Sequence, residues 1–406
     1  MAPALNSGDT AWMLVSTALV VFMIPGLALF YGGLARQKNL LATMMQSLIT
    51  MGAVMLLWVA AGYSIAYGEG NAVWGGWSHL FLAGIGPDSL HGNIPTFVFI
   101  AYQGAFACIT PALISGAIAE RIKFGPYLIF VLAWSVLVYA PVCHWVWHPN
   151  GFLFKAGVID FAGGIVVHLT SGLGGLAACL ILGKRKGLEK GIIPHNVPFV
   201  VLGAGILWFG WFGFNAGSAL AANQSAGLAF LNTFVGPAAG MCIWLLIERI
   251  HLHKCSTLGA ATGAVAGLAT VTPAAGSTLP MEAVLLASIS TGVCYFFVSN
   301  KSRFGYDDSL DAFGVHGISG IVGPIGCGVF SSVGYNSLFH SGYANGAAGM
   351  TQLLIQIKSV GIVGVYSLAC SALMVLLLHK SLGFRVTHEE EDAGLDLTLH
   401  GEKAYN

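Results

Sequence analysis

A nine-residue pattern is written twice in this chain, as Val167-His168-Leu169-Thr170-Ser171-Gly172-Leu173-Gly174-Gly175 and as Val315-His316-Gly317-Ile318-Ser319-Gly320-Ile321-Val322-Gly323. Both copies read V-H-x-x-S-G-x-x-G, and each histidine lies in a long apolar stretch. An acid precedes each one, Asp160 eight residues before His168 and Asp311 five before His316, and small residues suited to close helix packing follow. Hydrocarbon offers an ionisable group no solvation, so packing alone would favour a leucine at either place, and a histidine there argues for function. Two matched copies point to one shared site. A neutral imidazole donates from one nitrogen and accepts at the other, so two adjacent rings make a polar track for a small hydrogen-bonding molecule through apolar surroundings. The alternative is a histidine that only ties helices together, which duplication disfavours. A zinc site would need a third ligand or a nearby H-x-x-x-H, and the sequence offers neither. Neither metal nor cofactor is expected.

Three further segments carry aromatics that approach the membrane face away from the basic loops: Tyr102-Gln103-Gly104-Ala105-Phe106, Trp145-Val146-Trp147, and Trp208 through Ser218. Trp147 and Tyr102 could present π faces to a small cation, an attraction of about 0.5 to 2 kcal/mol or more on desolvation. Ser218 could add a hydroxyl acceptor. The competing reading is the ordinary aromatic belt at a membrane interface, and by spacing alone the belt is favoured.

The elements that position these residues must be transmembrane helices. The chain is 56% hydrophobic and only 8% charged, with 55 glycines in 406 residues and a mean hydropathy of +0.77. This is too little polar material to cover a soluble globule. Apolar runs long enough to span occur near 11–34, 42–66, 96–118, 125–147, 161–183, 197–218, 225–248, 256–273, 279–299, 312–332 and 351–379. The reading is an all-α polytopic membrane protein of eleven spans, with a membrane domain over 1–379 and a tail over 380–406. Arg36, Lys38, Arg121, Lys123, Lys184, Arg185, Lys186, Lys190, Arg249, Lys254, Lys301, Arg303, Lys380, Arg385 and Lys403 all fall in alternate loops or the tail. Only Lys155 falls on the other side. Lys358 lies inside the last span, where it is expected to snorkel or pair in a subunit contact rather than enter a pore. The positive-inside rule then puts the N-terminus outside and the C-terminus in the cytoplasm.

The repeated motif falls in spans five and ten. Spans one to five would thus recur as six to ten, upside down because five is odd, with one extra helix. Inverted repeats of this kind place a transport site between the halves near the midplane. The net charge is zero and no basic run exceeds Lys184-Arg185-Lys186, so nucleic acid is not an expected partner. The eight cysteines are scattered without C-x-x-C spacing and read as small buried hydrophobes. Met1 to Asp9 carries neither a basic n-region nor a cleavage signature, so a signal peptide is absent or already removed.

Phe30-Tyr31-Gly32-Gly33-Leu34, Gln103-Gly104-Ala105-Phe106-Ala107, Asp160-Phe161-Ala162-Gly163-Gly164 with His168, Gly210 through Ser218, and Phe313-Gly314-Val315-His316-Gly317 strongly resemble the Amt/Mep/Rh ammonium transporters. The match runs from span one into the tail. Trp147, Phe106 and Phe214 stand where recruitment and gate residues are expected in the bacterial Amt branch. The resemblance implies an outer ammonium site of Phe106, Trp147 and Ser218, with Tyr102 adding an acceptor where phenylalanine is also familiar. It further implies a gate of stacked Phe106 and Phe214, and a pore lined by the twin histidines His168 and His316. Asp160 would lie near the outer site, more as a cap on span five than as a cation contact. Ammonium would be recruited, deprotonated and passed inward as ammonia through a multi-pass protein of the inner (cytoplasmic) membrane. The resemblance leans towards electrogenic transport, with electroneutral passage left open. It also implies a homotrimer, packing of the tail on the cytoplasmic face, and regulation there by a PII-type signalling protein, although the tail's Glu389-Glu390-Glu391-Asp392 run would by itself read as solvated. The alternative function is a membrane ammonium sensor with little flux, which the intact histidines disfavour. An intramembrane enzyme lacks a nucleophile paired with the histidines.

Overall fold

The structure is a computed structural model that describes residues 4–188, 191–331 and 350–405. Lys190 and the end of the tenth expected span lie outside the described residues. Among those described, ten helices are long and apolar enough to cross a membrane. The first five are α1 (Ser7–Leu34), α2 (Gln37–Tyr67), α3 (Thr96–Ile118), α4 (Phe124–Lys155) and α5 (Gly164–Leu182). Then follow α6 (Val197–Gly217), α7 (Gln224–Leu252), α8 (Thr257–Val271), α9 (Pro280–Asn300), α10 (Phe313–Phe330) and α11 (Met350–Leu382). α8, at the place of the eighth expected span, is the shortest of the eleven. It has 15 residues and is continued by a 3-10 turn at Thr272–Ala274. Residues 261–276 are all buried, so most of α8 is enclosed by its neighbours.

The halves are antiparallel. At one end of α1 a Cβ on Gly217 would lie 2.7 Å from Ser16 Cβ, and at the other a Cβ on Gly33 would lie 2.6 Å from the Asn196 carbonyl oxygen, so α1 and α6 run in opposite directions in direct backbone contact. A methyl group on Gly203 or Gly210 of α6 would likewise strike α1. Small residues replace the hydrophobic drive that lipid removes between helices. The central helices are the most enclosed: 83% of the α3 window is buried, against 33% for α7. Lys358 is exposed on the outer face of α11. Cys108, Cys143, Cys179, Cys294 and Cys327 are buried as expected, whereas Cys242 and Cys255 are exposed, Cys242 on the outward side of α7 and Cys255 in the loop after it.

The last helix runs to Leu382, slightly beyond the expected 379. Two short helices follow, α12 (His388–Ala393) and α13 (Leu395–His400), and they are docked rather than solvated. Glu391 and Asp396 are buried. Asp396 Oδ1 accepts from the Ala42 amide at 2.8 Å, Asn39 Oδ1 accepts from the Leu395 amide at 2.9 Å, and Glu391 Oε2 accepts from Arg385 at 3.1 Å. Beneath the tail a buried ion network ties four loops. Arg185 reaches Glu120 and Asp307, both at 2.8 Å, Arg121 reaches Asp307 at 2.9 Å, and Arg36 reaches Glu120 at 3.0 Å.

Candidate functional site

Each repeated histidine sits in a π-helical turn, His168 in Gly164–Leu169 and His316 in Phe313–Gly317. Such widened turns re-aim side chains and are frequent at functional sites. Each is capped by a carboxylate. Asp160 accepts the amides of Gly163, Gly164, Ile165 and Val166 at 3.0, 2.6, 2.8 and 3.0 Å. Asp308 accepts those of Ala312, Phe313 and Gly314 at 3.0, 2.8 and 3.1 Å. Gly163 enters the first turn at φ 111°, which a side chain would strain. The sequence reading paired His316 with Asp311. The structure assigns that place to Asp308, which stands eight residues before His316 as Asp160 stands before His168. Asp311 instead binds Lys301 and lines a cavity near the basic end. Burial pushes the Asp160 carboxyl up to about 6 against its four amide donors, and raises that of Asp308 against the opposing charge of Lys301.

The two turns meet by reciprocal glycine contacts. A Cβ on Gly172 would lie 2.2 Å from Gly317 Cα, and one on Gly320 would lie 2.3 Å from the Leu169 nitrogen. This approach brings His168 and His316 together, with Nδ1 atoms 3.3 Å apart and rings stacked at 16°. Trp211 and Phe214 stack on His168 with centroids at 5.4 and 6.0 Å. The rings border a narrow lumen of about 10 Å³ whose other walls include Leu27, Ile109 and Val265. That is about the room of one water-sized probe.

Phe214 lines this lumen, and Phe106 lines a larger cavity of about 420 Å³ at the end away from the basic loops. The two phenyl rings stack between the cavities, with centroids 4.1 Å apart at 27°. Trp147 meets Phe106 edge-on at 5.9 Å and donates from Nε1 to the Asp160 carbonyl at 2.8 Å. Ser218 also lines the large cavity, and its hydroxyl donates to the Phe214 carbonyl at 2.9 Å. Tyr102 departs from the expected arrangement. It is fully buried, absent from the cavity wall, and its hydroxyl faces the Gly213 and Phe214 carbonyls at 3.0 and 2.8 Å with Ser218 Oγ at 3.2 Å. The Phe214 carbonyl lies in the last turn of α6, where carbonyls lack helical partners, and the buried phenol donates to it and to the neighbouring Gly213 carbonyl. Asp160 does not line the cavity either, because its carboxylate oxygens are taken up by the cap.

Sequence reasoning passed over several wall residues. Gln103 lines the large cavity, and its buried Oε1 has no hydrogen-bond partner among the described residues. Its place one helical turn before Phe106 was the available signal. Glu69, His79, His91 and His148 also line it, and burial lowers the His91 pKa. Beyond the histidines, a cavity of about 40 Å³ bordered by His316, Tyr31 and Asp311 leads towards the basic loops.

Residues 11–405 match the Ammonium Transporter Family. An ammonium transporter of Aquifex aeolicus is 46% identical over 99% of this chain and 94% of its own length. The crystal structure of Candida albicans Mep2 superposes with a TM-score of 0.88 at 31% identity, covering 95% of this chain and 88% of that one. A structure titled Sensor Amt Protein superposes with a TM-score of 0.88 at 28% identity, over 97% of this chain and 98% of that one. A profile match over nearly the whole chain, joined to a pair of antiparallel halves that meet at two histidines, settles the family: this chain is a multi-pass membrane protein of the ammonium transporter family.

Proposed function

We propose that the protein moves ammonium from outside the cytoplasmic membrane to the cytoplasm along the row of cavities just described, with the N-terminus outside and the docked tail inside. One observation carries this reading: three cavities of about 420, 10 and 40 Å³ follow one another, separated by the Phe106–Phe214 stack and the histidine pair.

Ammonium and potassium are alike in size and charge, so discrimination must use what ammonium alone does, which is to donate directional hydrogen bonds and lose a proton. In the large cavity the cation meets the π faces of Trp147 and Phe106 and the acceptors of Ser218 and Gln103. Tyr102 holds Ser218 and the end of α6 from behind. Carrying a bare cation into the lumen would cost of order 20 kcal/mol by an idealised Born estimate. Ammonia is neutral, so deprotonation above the phenyl gate removes most of that barrier. Ammonia then passes Phe106 and Phe214 and exchanges hydrogen bonds with His168 and His316. The proton crosses separately along the histidines, which makes transport electrogenic. The protein works as a homotrimer, and a PII-type protein engages the cytoplasmic face that carries the tail.

Purified protein in liposomes on a solid-supported membrane, given ammonium or potassium pulses, tests this. A sustained ammonium-specific current that is lost in the His168→Ala, His316→Ala double variant supports it. No current with a fast internal pH rise replaces it with neutral ammonia passage. Neither signal sinks transport and leaves an ammonium sensor, the second reading favoured by the likeness to the sensor Amt structure.

A further inference from the structure

His144 lies on α4, one helical turn before Trp147 and His148, and is fully buried. Both nitrogens of its ring face backbone carbonyl oxygens, Nδ1 that of Ala66 at 2.9 Å and Nε2 that of Asn71 at 2.7 Å. A carbonyl oxygen only accepts, and a neutral imidazole carries one N–H and one lone pair. A neutral ring would therefore set a nitrogen lone pair against a carbonyl oxygen at hydrogen-bond distance. Turning the ring over puts carbons at both places and bonds neither carbonyl. Only the imidazolium donates to both, and a charged donor makes the stronger bond. Ala66 belongs to the last turn of α2, where carbonyls lack helical partners. The neighbouring ring differs. His148 stacks on His144 with centroids 4.5 Å apart at 14°, but its Nδ1 accepts from the Asn150 amide at 3.1 Å, so that nitrogen carries no proton. A charged ring and a neutral one lie face to face, and the neutral one borders the vestibule.

The bonds from His144 join two parts of the vestibule wall. α4 contributes Trp147 and His148, and the chain leaving α2 contributes Tyr67 and Glu69. Trp145 Nε1 donates to the Val73 carbonyl at 2.6 Å, Asn150 Nδ2 to the Glu69 carbonyl at 2.9 Å, and the Phe152 amide to the Ala72 carbonyl at 3.1 Å. Those donors are neutral, and the Asn150 contact is exposed to water. The charged and titratable groups acting on the stacked pair are Glu69, His91 and Lys155, with the Tyr67 ring 6.5 Å from that of His148. Cys143 adjoins His144 on α4 and bonds Tyr67, and His79 lines the same vestibule. Glu69 is the one acid in this group and is exposed, so the two carbonyls rather than an ion pair hold the buried charge. We propose that His144 is an imidazolium whose two N–H groups clamp segment 66–71 to α4, making it the positioning residue that sets Tyr67 and Glu69 relative to Trp147 and His148. The clamp stands on geometry, and its bearing on ammonium rests on the reading of the vestibule as the entry.

The full chain with ¹⁵N-labelled histidine in lipid nanodiscs tests the charge directly, with ring signals assigned by correlation to their own backbone. At pH 7 both ring nitrogens of His144 should be protonated, whereas His148 should show a bare Nδ1. A bare nitrogen on His144 would overturn the proposal. Raising the pH until His144 gives up its second proton should shift the amide signals of residues 66–73 at the same midpoint, and amides that ignore the histidine would sink the clamp. His144→Phe keeps a ring for the stack and removes both donors. Amide hydrogen exchange over residues 66–73 should quicken at least about tenfold, and the half-saturating ammonium concentration should rise at least about fivefold while the maximal current stays near that of the parent. His144→Gln restores neutral donors and should fall between parent and His144→Phe on both measures. Exchange unchanged in both variants contradicts the clamp. Trp147→Ala separates the two readings. If it raises the half-saturation and neither His144 variant does, the positioning role fails; if none of the three does, the entry reading fails and the clamp is decided by exchange and the ring spectra.

Discussion

His168 and His316 confront each other through their Nδ1 atoms at 3.3 Å, so one of the two nitrogens carries a proton and the other accepts it. The rings are therefore opposite tautomers, and their Nε2 atoms differ as well, one a donor and the other an acceptor. His168 Nε2 has no hydrogen-bond partner among the described residues. A permeating molecule that both donates and accepts can replace or join this bond at little cost, whereas a bare cation finds no negative charge among the lumen walls.

That pairing predicts how single variants behave. Replacing either histidine with alanine leaves the remaining Nδ1 unpaired in an apolar lumen, and an unmet buried hydrogen-bonding group costs about 1–3 kcal/mol. Ammonium current should fall at least about tenfold in His168→Ala and in His316→Ala, with the protein still folded. In the parent, ¹⁵N spectra of labelled histidine should show one protonated and one bare Nδ1 for the pair. Two protonated Nδ1 atoms would contradict the geometry.

The caps give a second prediction, because Asp308 and Asp311 are close in sequence but differ in role. Asp308→Ala should orphan the Ala312, Phe313 and Gly314 amides, misaim His316 and reduce current as severely as Asp160→Ala. Asparagine retains one acceptor oxygen, so Asp308→Asn should fall between. Asp311→Ala breaks a partly exposed pair with Lys301 and should lower unfolding stability by no more than about 1 kcal/mol. If Asp311→Ala were the more damaging change, the assignment of the cap would fail.

The contrast between those acids shows what the sequence could carry. The duplicated V-H-x-x-S-G-x-x-G motif and the apolar runs were legible because hydrophobicity and small-residue spacing are local properties. Which acid caps the second motif was not, since Asp307, Asp308 and Asp311 all lie within reach and only the π turn selects Asp308. Composition likewise marks 256–273 as an apolar helix, but that α8 is enclosed by its neighbours is a tertiary fact that composition does not carry. Tyr102 reads as a cavity residue by its place beside the Phe106 motif, yet the carbonyls at the end of α6 draw its hydroxyl away from the cavity. That the acidic tail packs on the cytoplasmic face followed from the family resemblance alone, because nothing in its composition reveals the Asn39, Ala42 and Arg385 contacts that hold it.

Gln103 supports a third prediction. Its Oε1 is buried, has no donor partner among the described residues, and belongs to a residue on the vestibule wall beside Phe106. Gln103→Leu keeps the bulk and removes the acceptor. The half-saturating ammonium concentration should rise about tenfold, the equivalent of one hydrogen bond of about 1.4 kcal/mol, while the maximal current stays near that of the parent. An unchanged half-saturation would place the cation elsewhere in the cavity.

The ion network under the tail predicts an acid response. Burial alone would raise the Asp307 carboxyl, but Arg185 and then Arg121 hold it well below the usual carboxylate range. Glu120 is lowered in the same way, with burial opposed by Arg185 and Arg36. A carboxyl depressed in the folded state contributes stability that is complete above its unfolded value near 4 and is lost as pH falls from there towards the folded value. Asp307→Asn removes that contribution and leaves Arg121 and Arg185 short of a partner, a loss of about 3–5 kcal/mol for a broken buried pair. The difference in thermal midpoint between parent and variant should therefore stay constant from pH 7 to about 5, then shrink below about pH 4 as the parent's own carboxyls take up protons. A difference that closed between pH 7 and 6 would point to a histidine instead, and one that persisted unchanged to pH 3 would mean that Asp307 contributes through shape rather than charge.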